Sequence, residues 1–93
     1  MVNKSIIKIR NKLDKLDNQF LDIIKKRTTL VNEVIKNKKY KKDIVDNRRI
    51  KVILKNISKK SKKMKIDPKI TNRIWKSMIK AYIDYEFRNF GKK

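Results

Sequence analysis

SIIKIRNKLDKLDNQFLDIIKKRTTLVNEVIKNK, residues 5–38, is the stretch whose reading decides the fold. Within it Ile6, Ile9, Leu13, Leu16, Phe20, Ile23, Leu30 and Val34 recur at steps of three and four, the period of an amphipathic helix. The step that falls at position 27 is filled by Arg27, and neither Pro nor Gly interrupts the run. With a rise of about 1.5 Å per residue such a helix spans roughly 50 Å, more than the diameter of a compact domain of 93 residues. It needs a partner along its apolar stripe. Arg27 reads in two ways: its stem packs while its head snorkels to water, or the seam holds an anion that pairs with it, because an unpaired buried guanidinium is costly. Arg10 lies about 25 Å from Arg27 by helical rise, so one ligand touches both only if a second chain runs antiparallel to the first.

Downstream of that helix, residues 39–45 read as a short polar connection. Asp46 precedes the periodic run Ile50, Ile53, Leu54 and Ile57, which predicts a second helix over about 46–63 with Asp46 as its N-cap or first-turn acid. Asp46, Arg49, Ile50 and Ile53 share a face, and the Lys-Ser tract from Ser58 to Lys63 reads as solvated. Asp67-Pro68 pairs a capping acid with proline at the first helical position. It opens a third helix over about 67–90, carrying Ile70, Ile74, Trp75, Met78, Ile79, Tyr82, Ile83 and Phe90, with Gly91 as its stop. Met78, Tyr82 and Glu86 stand one turn apart on one stripe. Glu86 there is either a tolerated charge near a fraying end or a working group. No repeat is visible, and the expectation is one all-α domain over 1–93 with a long, a short and a medium helix.

Composition narrows the chemistry. One Gly and one Pro argue against a hairpin-rich β fold. The absence of Cys removes disulfides and thiolate metal sites, and the absence of His removes the usual general base and the commonest metal ligand. No metal and no cofactor is expected. No apolar stretch reaches signal-peptide or membrane-span length, so a cytoplasmic setting without membrane contact is the natural expectation. The net charge of +20 invites a nucleic-acid reading. Yet Lys, Asn and Ile supply 47 of the 93 residues, a skew expected of AT-rich coding DNA, and Arg supplies only 6 of the 29 cations. Lysine is spread over all three helices, so nucleic acid is expected to bind only nonspecifically, if at all, and in proportion to total lysine.

The residues in register resemble the all-helical (type II) chorismate mutases, of the kind found at the head of bacterial bifunctional enzymes. Ile9-Arg10 followed by Leu13-Asp14-Lys15-Leu16-Asp17 is similar to the family's opening run. Arg27 with Lys38 eleven residues on, and Asp46-Asn47-Arg48-Arg49 at the start of the second helix, follow the same pattern. Tyr82 and Glu86 then fall in register without a gap. The resemblance covers nearly the whole chain. It implies an intertwined homodimeric helical bundle and the pericyclic conversion of chorismate to prephenate. In that reading Arg27 and Arg49 hold the substrate carboxylates together with Arg10 of the partner subunit. Lys38, aided by Glu86, donates to the ether oxygen, and Asp46, Ile50 and Tyr82 line the substrate. Lys39 is an alternative to Lys38, because the link to Asp46 looks one residue shorter than in bacterial relatives.

Three positions depart from the family's pattern. Ile50 stands where mutases carry a Glu for the ring hydroxyl, Tyr82 where many have Ser, and Glu86 where bacterial members usually have Gln. A Glu donates to an ether oxygen only when protonated, so activity is expected to favour mildly acidic pH. Ile50 and the Tyr82-Ile83 pair are also similar to the isochorismate-pyruvate lyases of the same fold, the alternative activity. A noncatalytic mutase-like dimer and a basic nucleic-acid binder are the remaining alternatives.

Overall fold

The computed structural model describes residues 3–92. Its elements are the helices α1 (Lys4–Asn37), α2 (Asn47–Lys63) and α3 (Pro68–Asn89), with a short 3-10 turn at Lys41–Asp43. There is no strand among the described residues. The described residues are all-α, with three α-helices in the order long, short, medium.

α1 begins where Asn3 caps it: the Asn3 Oδ1 accepts the Ile6 N–H at 2.9 Å, satisfying one of the amides that the first turn leaves open. It ends as Asn37 Nδ2 donates to the Glu33 carbonyl at 2.8 Å. The Lys38 N–H then closes on the Ile35 carbonyl at 3.2 Å, a tightened last turn.

By packing, the chain falls into two units, one ending at Asn32 and the other beginning at Glu33. The first is helical from Lys4 onward. Its apolar stripe stands open to water, with Ile9 56%, Leu13 52%, Leu16 56%, Phe20 47% and Leu30 61% exposed.

The second unit contains the end of α1, the 3-10 turn, α2 and α3, and α2 packs against α3. Its buried apolar side chains are Ile35 and Ile44. Ile44 corrects the reading of residues 39–45 as a polar link. The turn's bonds from Asp43 N–H to the Tyr40 carbonyl and from Ile44 N–H to the Lys41 carbonyl carry Ile44 inward, while Tyr40 and Val45 stay exposed. Asp46 lies just outside α2 as its N-cap, its Oδ1 accepting the Arg49 N–H at 3.0 Å. Asp67 does the same for α3, accepting the Lys69 N–H at 2.9 Å, with Pro68 at the first helical position.

α2 does not close on a solvated Lys-Ser tract throughout. Ser61 is buried, its hydroxyl donating to the Ile57 carbonyl at 2.7 Å and lying 2.7 Å from the Thr71 hydroxyl of α3. A small polar side chain can enter this contact because its hydrogen bonds go with it. Beyond Ser61 the helix closes in a Schellman motif: Ile66 N–H bonds to the Ser61 carbonyl at 2.8 Å and Lys65 N–H to the Lys62 carbonyl at 3.2 Å. Lys65 takes the left-handed conformation that this motif requires, at φ 58°. Gly91, at φ 76°, does so without steric cost after α3.

Candidate active site

The second unit brings one cation and one acid that are distant in the sequence together. Lys38 follows the last residue of α1, and its Nζ donates to Glu86 Oε1 of α3 at 3.2 Å. The same Nζ donates to the Ile44 carbonyl at 3.3 Å. Glu86 is buried and Lys38 half-buried, their side chains 10% and 21% exposed. In this setting an ion pair is screened less than on an open surface, and removing one partner leaves the other charge poorly solvated. The tight end of α1 aims Lys38 at α3, and the buried Ile44 brings its carbonyl to the ammonium. An ammonium has three N–H donors, and these two contacts occupy two of them. Lys39 is exposed, so it is Lys38 that meets Glu86.

Arg49 sits in the first turn of α2, exposed, with its backbone tied to Asp46. Ile50, one residue on, is half-buried. Tyr82 lies one turn before Glu86 on α3, half-buried, its ring edge-on to Tyr85 with centroids 6.3 Å apart. Arg10 and Arg27 belong to the first unit, on α1, and both are exposed. Lys38 and Glu86 are thus joined directly, and Asp46 and Arg49 through the cap. The Ile44 carbonyl is a contact that sequence reading missed. Its available signal was the apolar Ile44 inside a lysine-rich link, which hints at burial but says nothing of where a carbonyl points.

A cleft of about 750 Å³ runs along the first half of α3, lined by Lys69, Ile70, Asn72, Arg73, Ile74, Lys76 and Ser77. It contains none of the residues above. Among the described residues no group of acids fit for a metal ion occurs, and no helix is long and apolar enough to cross a membrane.

Compared with protein families, residues 9–87 match the model for type II chorismate mutases. The chain belongs to the type II chorismate mutase family. The match runs from the Ile9-Arg10 opening of α1 to Phe87, one residue past Glu86, so it includes every candidate residue. Searches of curated proteins and of solved structures returned no match. The family's activity is the isomerisation of chorismate, and membership supports that activity for this chain at the family level. That chemistry suits a sequence without His or Cys, since a pericyclic rearrangement needs neither a nucleophile nor a general base.

Proposed function

We propose that this chain, as a cytoplasmic homodimer, converts chorismate to prephenate in aromatic amino-acid synthesis. The observation that carries the reading is the Lys38 ammonium held between Glu86 and the Ile44 carbonyl in a chain of the mutase family. In the reaction the ether C–O bond breaks as a new C–C bond forms, and no atom is lost. Negative charge develops on the ether oxygen as its bond breaks. The third N–H of Lys38 serves that oxygen, and a preplaced donor of this kind is worth about 10²–10³ in rate. Glu86, when protonated, supplies a second donor.

The substrate is a dianion that reacts only in its compact diaxial shape. Arg27 and Arg49, with Arg10 of the partner subunit, clamp the two carboxylates, since guanidinium and carboxylate can meet through paired hydrogen bonds. Holding that shape contributes through pre-organisation. Asp46 fixes the first turn of α2 that presents Arg49, while Ile50 and Tyr82 shape the pocket around the ring. The dimer is supported by the bare stripe of α1, which asks for a second helix, and by the placement of Arg10 far along that helix from Arg27.

The test is prephenate formation by the wild type and by Arg27→Ala. Loss of at least 100-fold in kcat/KM is expected, about the scale of one lost transition-state contact. Ordinary activity in the variant removes Arg27 from the site. The half-buried, apolar Ile50 also favours a second reading, cleavage of isochorismate to salicylate and pyruvate. Offering each substrate to the same preparation separates the two.

A further inference from the structure

Lysine occurs on all three helices, but the acids do not. α1 has nine cations and four acids, and α3 has five and two. α2 has eight cations and no acid, and none appears between Asp46 and Asp67. Arg48, Lys51, Lys55, Lys59 and Lys62 step along α2 by three or four residues, and all five are exposed. At about 100° per residue they fall within an arc of roughly 80°, opposite Ile50, Ile57 and Ser61, and extend for about 21 Å. None has an acidic partner among the described residues.

A solvated face needs polarity, not a single sign. Like charges three and four apart repel and weaken the helix that holds them. The helix dipole accounts for lysines in the last turn, but it disfavours Arg48 and Lys51 near the N-terminus. A polyanion laid along the ridge relieves both penalties.

We propose that this outer ridge of α2 docks the phosphodiester backbone of nucleic acid, independently of any chorismate chemistry. The side chains on and beside the ridge select that occupant. α2 contains no aromatic residue to stack on bases, and Val52, at 44%, is its exposed large apolar side chain, too little to insert into a lipid surface. Lysine, four of the five ridge cations, meets phosphate as a point charge rather than reading base edges. Binding is therefore independent of sequence.

The test is fluorescence anisotropy of a labelled 20-base-pair DNA duplex over a salt series. Five phosphate contacts give a slope of log K against log salt of about −4.5, or roughly 500-fold weaker binding from 50 to 200 mM. The variant Lys51→Gln/Lys55→Gln/Lys59→Gln is expected to bind at least tenfold more weakly at 50 mM, with a slope shallower by about 2.7. Lys69→Gln/Lys76→Gln/Lys80→Gln removes the same charge from α3 and is expected to keep the wild-type slope. Circular dichroism confirms that both remain helical. In the unmodified protein, bound duplex should shield Lys51, Lys55 and Lys59 from acetic anhydride more than Lys69, Lys76 and Lys80. Equal loss in the two variants, uniform acetylation, no wild-type binding at 50 mM, or preference for phosphatidylserine vesicles over duplex each overturns the proposal.

Discussion

Lys38 and Glu86 lie 48 residues apart in the chain and 3.2 Å apart in space. Their pairing sets two demands on one carboxyl group. Ionised, Glu86 accepts from Lys38 and orients it; protonated, it can itself donate to a substrate oxygen. Glu86→Gln carries amide N–H donors at every pH, and the pH profile of kcat should broaden toward the alkaline side. A profile unchanged by the substitution takes Glu86 out of the mechanism. Both residues were legible in the sequence as interruptions: Glu86 breaks an apolar and aromatic stripe, and Lys38 keeps register with Arg27. The Ile44 carbonyl was not legible, because every residue has a carbonyl and only a turn decides where it points.

Helix starts and ends both fell within a residue of their reading, but the starts at Asp46 and Asp67 have the clearer local cause. Asp46 and Asp67 announce α2 and α3 because a carboxylate before a periodic run has one profitable local partner, the open amides of the first turn. The end of α2 falls at Lys63 as expected, but how it closes was not readable. Lysine has no preference for positive φ, yet Lys65 adopts 58° to close the Schellman motif. The burial of Ser61 was hidden for a related reason: its partner Thr71 belongs to another helix, and a local pattern of Lys and Ser cannot report a contact across a turn. The strain at Lys65 is testable. A left-handed non-glycine residue costs roughly 1–2 kcal/mol, while glycine in the unfolded chain gives back about 0.5–1 kcal/mol of that gain. Lys65→Gly is expected to stabilise by about 0.5–1 kcal/mol, raising the melting temperature by a few degrees. A lower melting temperature would show that the Lys65 side chain contributes more than its backbone loses.

At the scale of the whole molecule the long helix poses the main question, as its sequence did. The all-helical class and the three-helix order were readable from period and caps, because each helix repeats apolar residues at helical steps. What covers the α1 stripe is not written in one chain. Leu16, 56% exposed, lies on that stripe, so Leu16→Glu leaves the folded chain's own contacts largely alone. In a homodimer it places like charges in the seam. If the proposed homodimer forms along this stripe, sedimentation should show a fall from twice 11.3 kDa to 11.3 kDa, with loss of the proposed prephenate formation as the partner subunit's Arg10 is withdrawn. An unchanged mass excludes the α1 stripe as the seam.

The bare stripe has a kinetic consequence as well. α1 precedes α2 and α3 in the chain, so its apolar side chains emerge before theirs in synthesis and are open to water in the single folded chain. Two such copies each bear a charge of +20 and repel one another before their stripes can touch. At about 0.15 M salt the screening length is only about 8 Å, and at lower ionic strength the repulsion reaches further and slows encounter. In the proposed homodimer, pairing along α1 is thus expected to be timed by the surrounding salt: screened, the chains meet quickly; unscreened, each copy spends longer alone with this apolar surface uncovered.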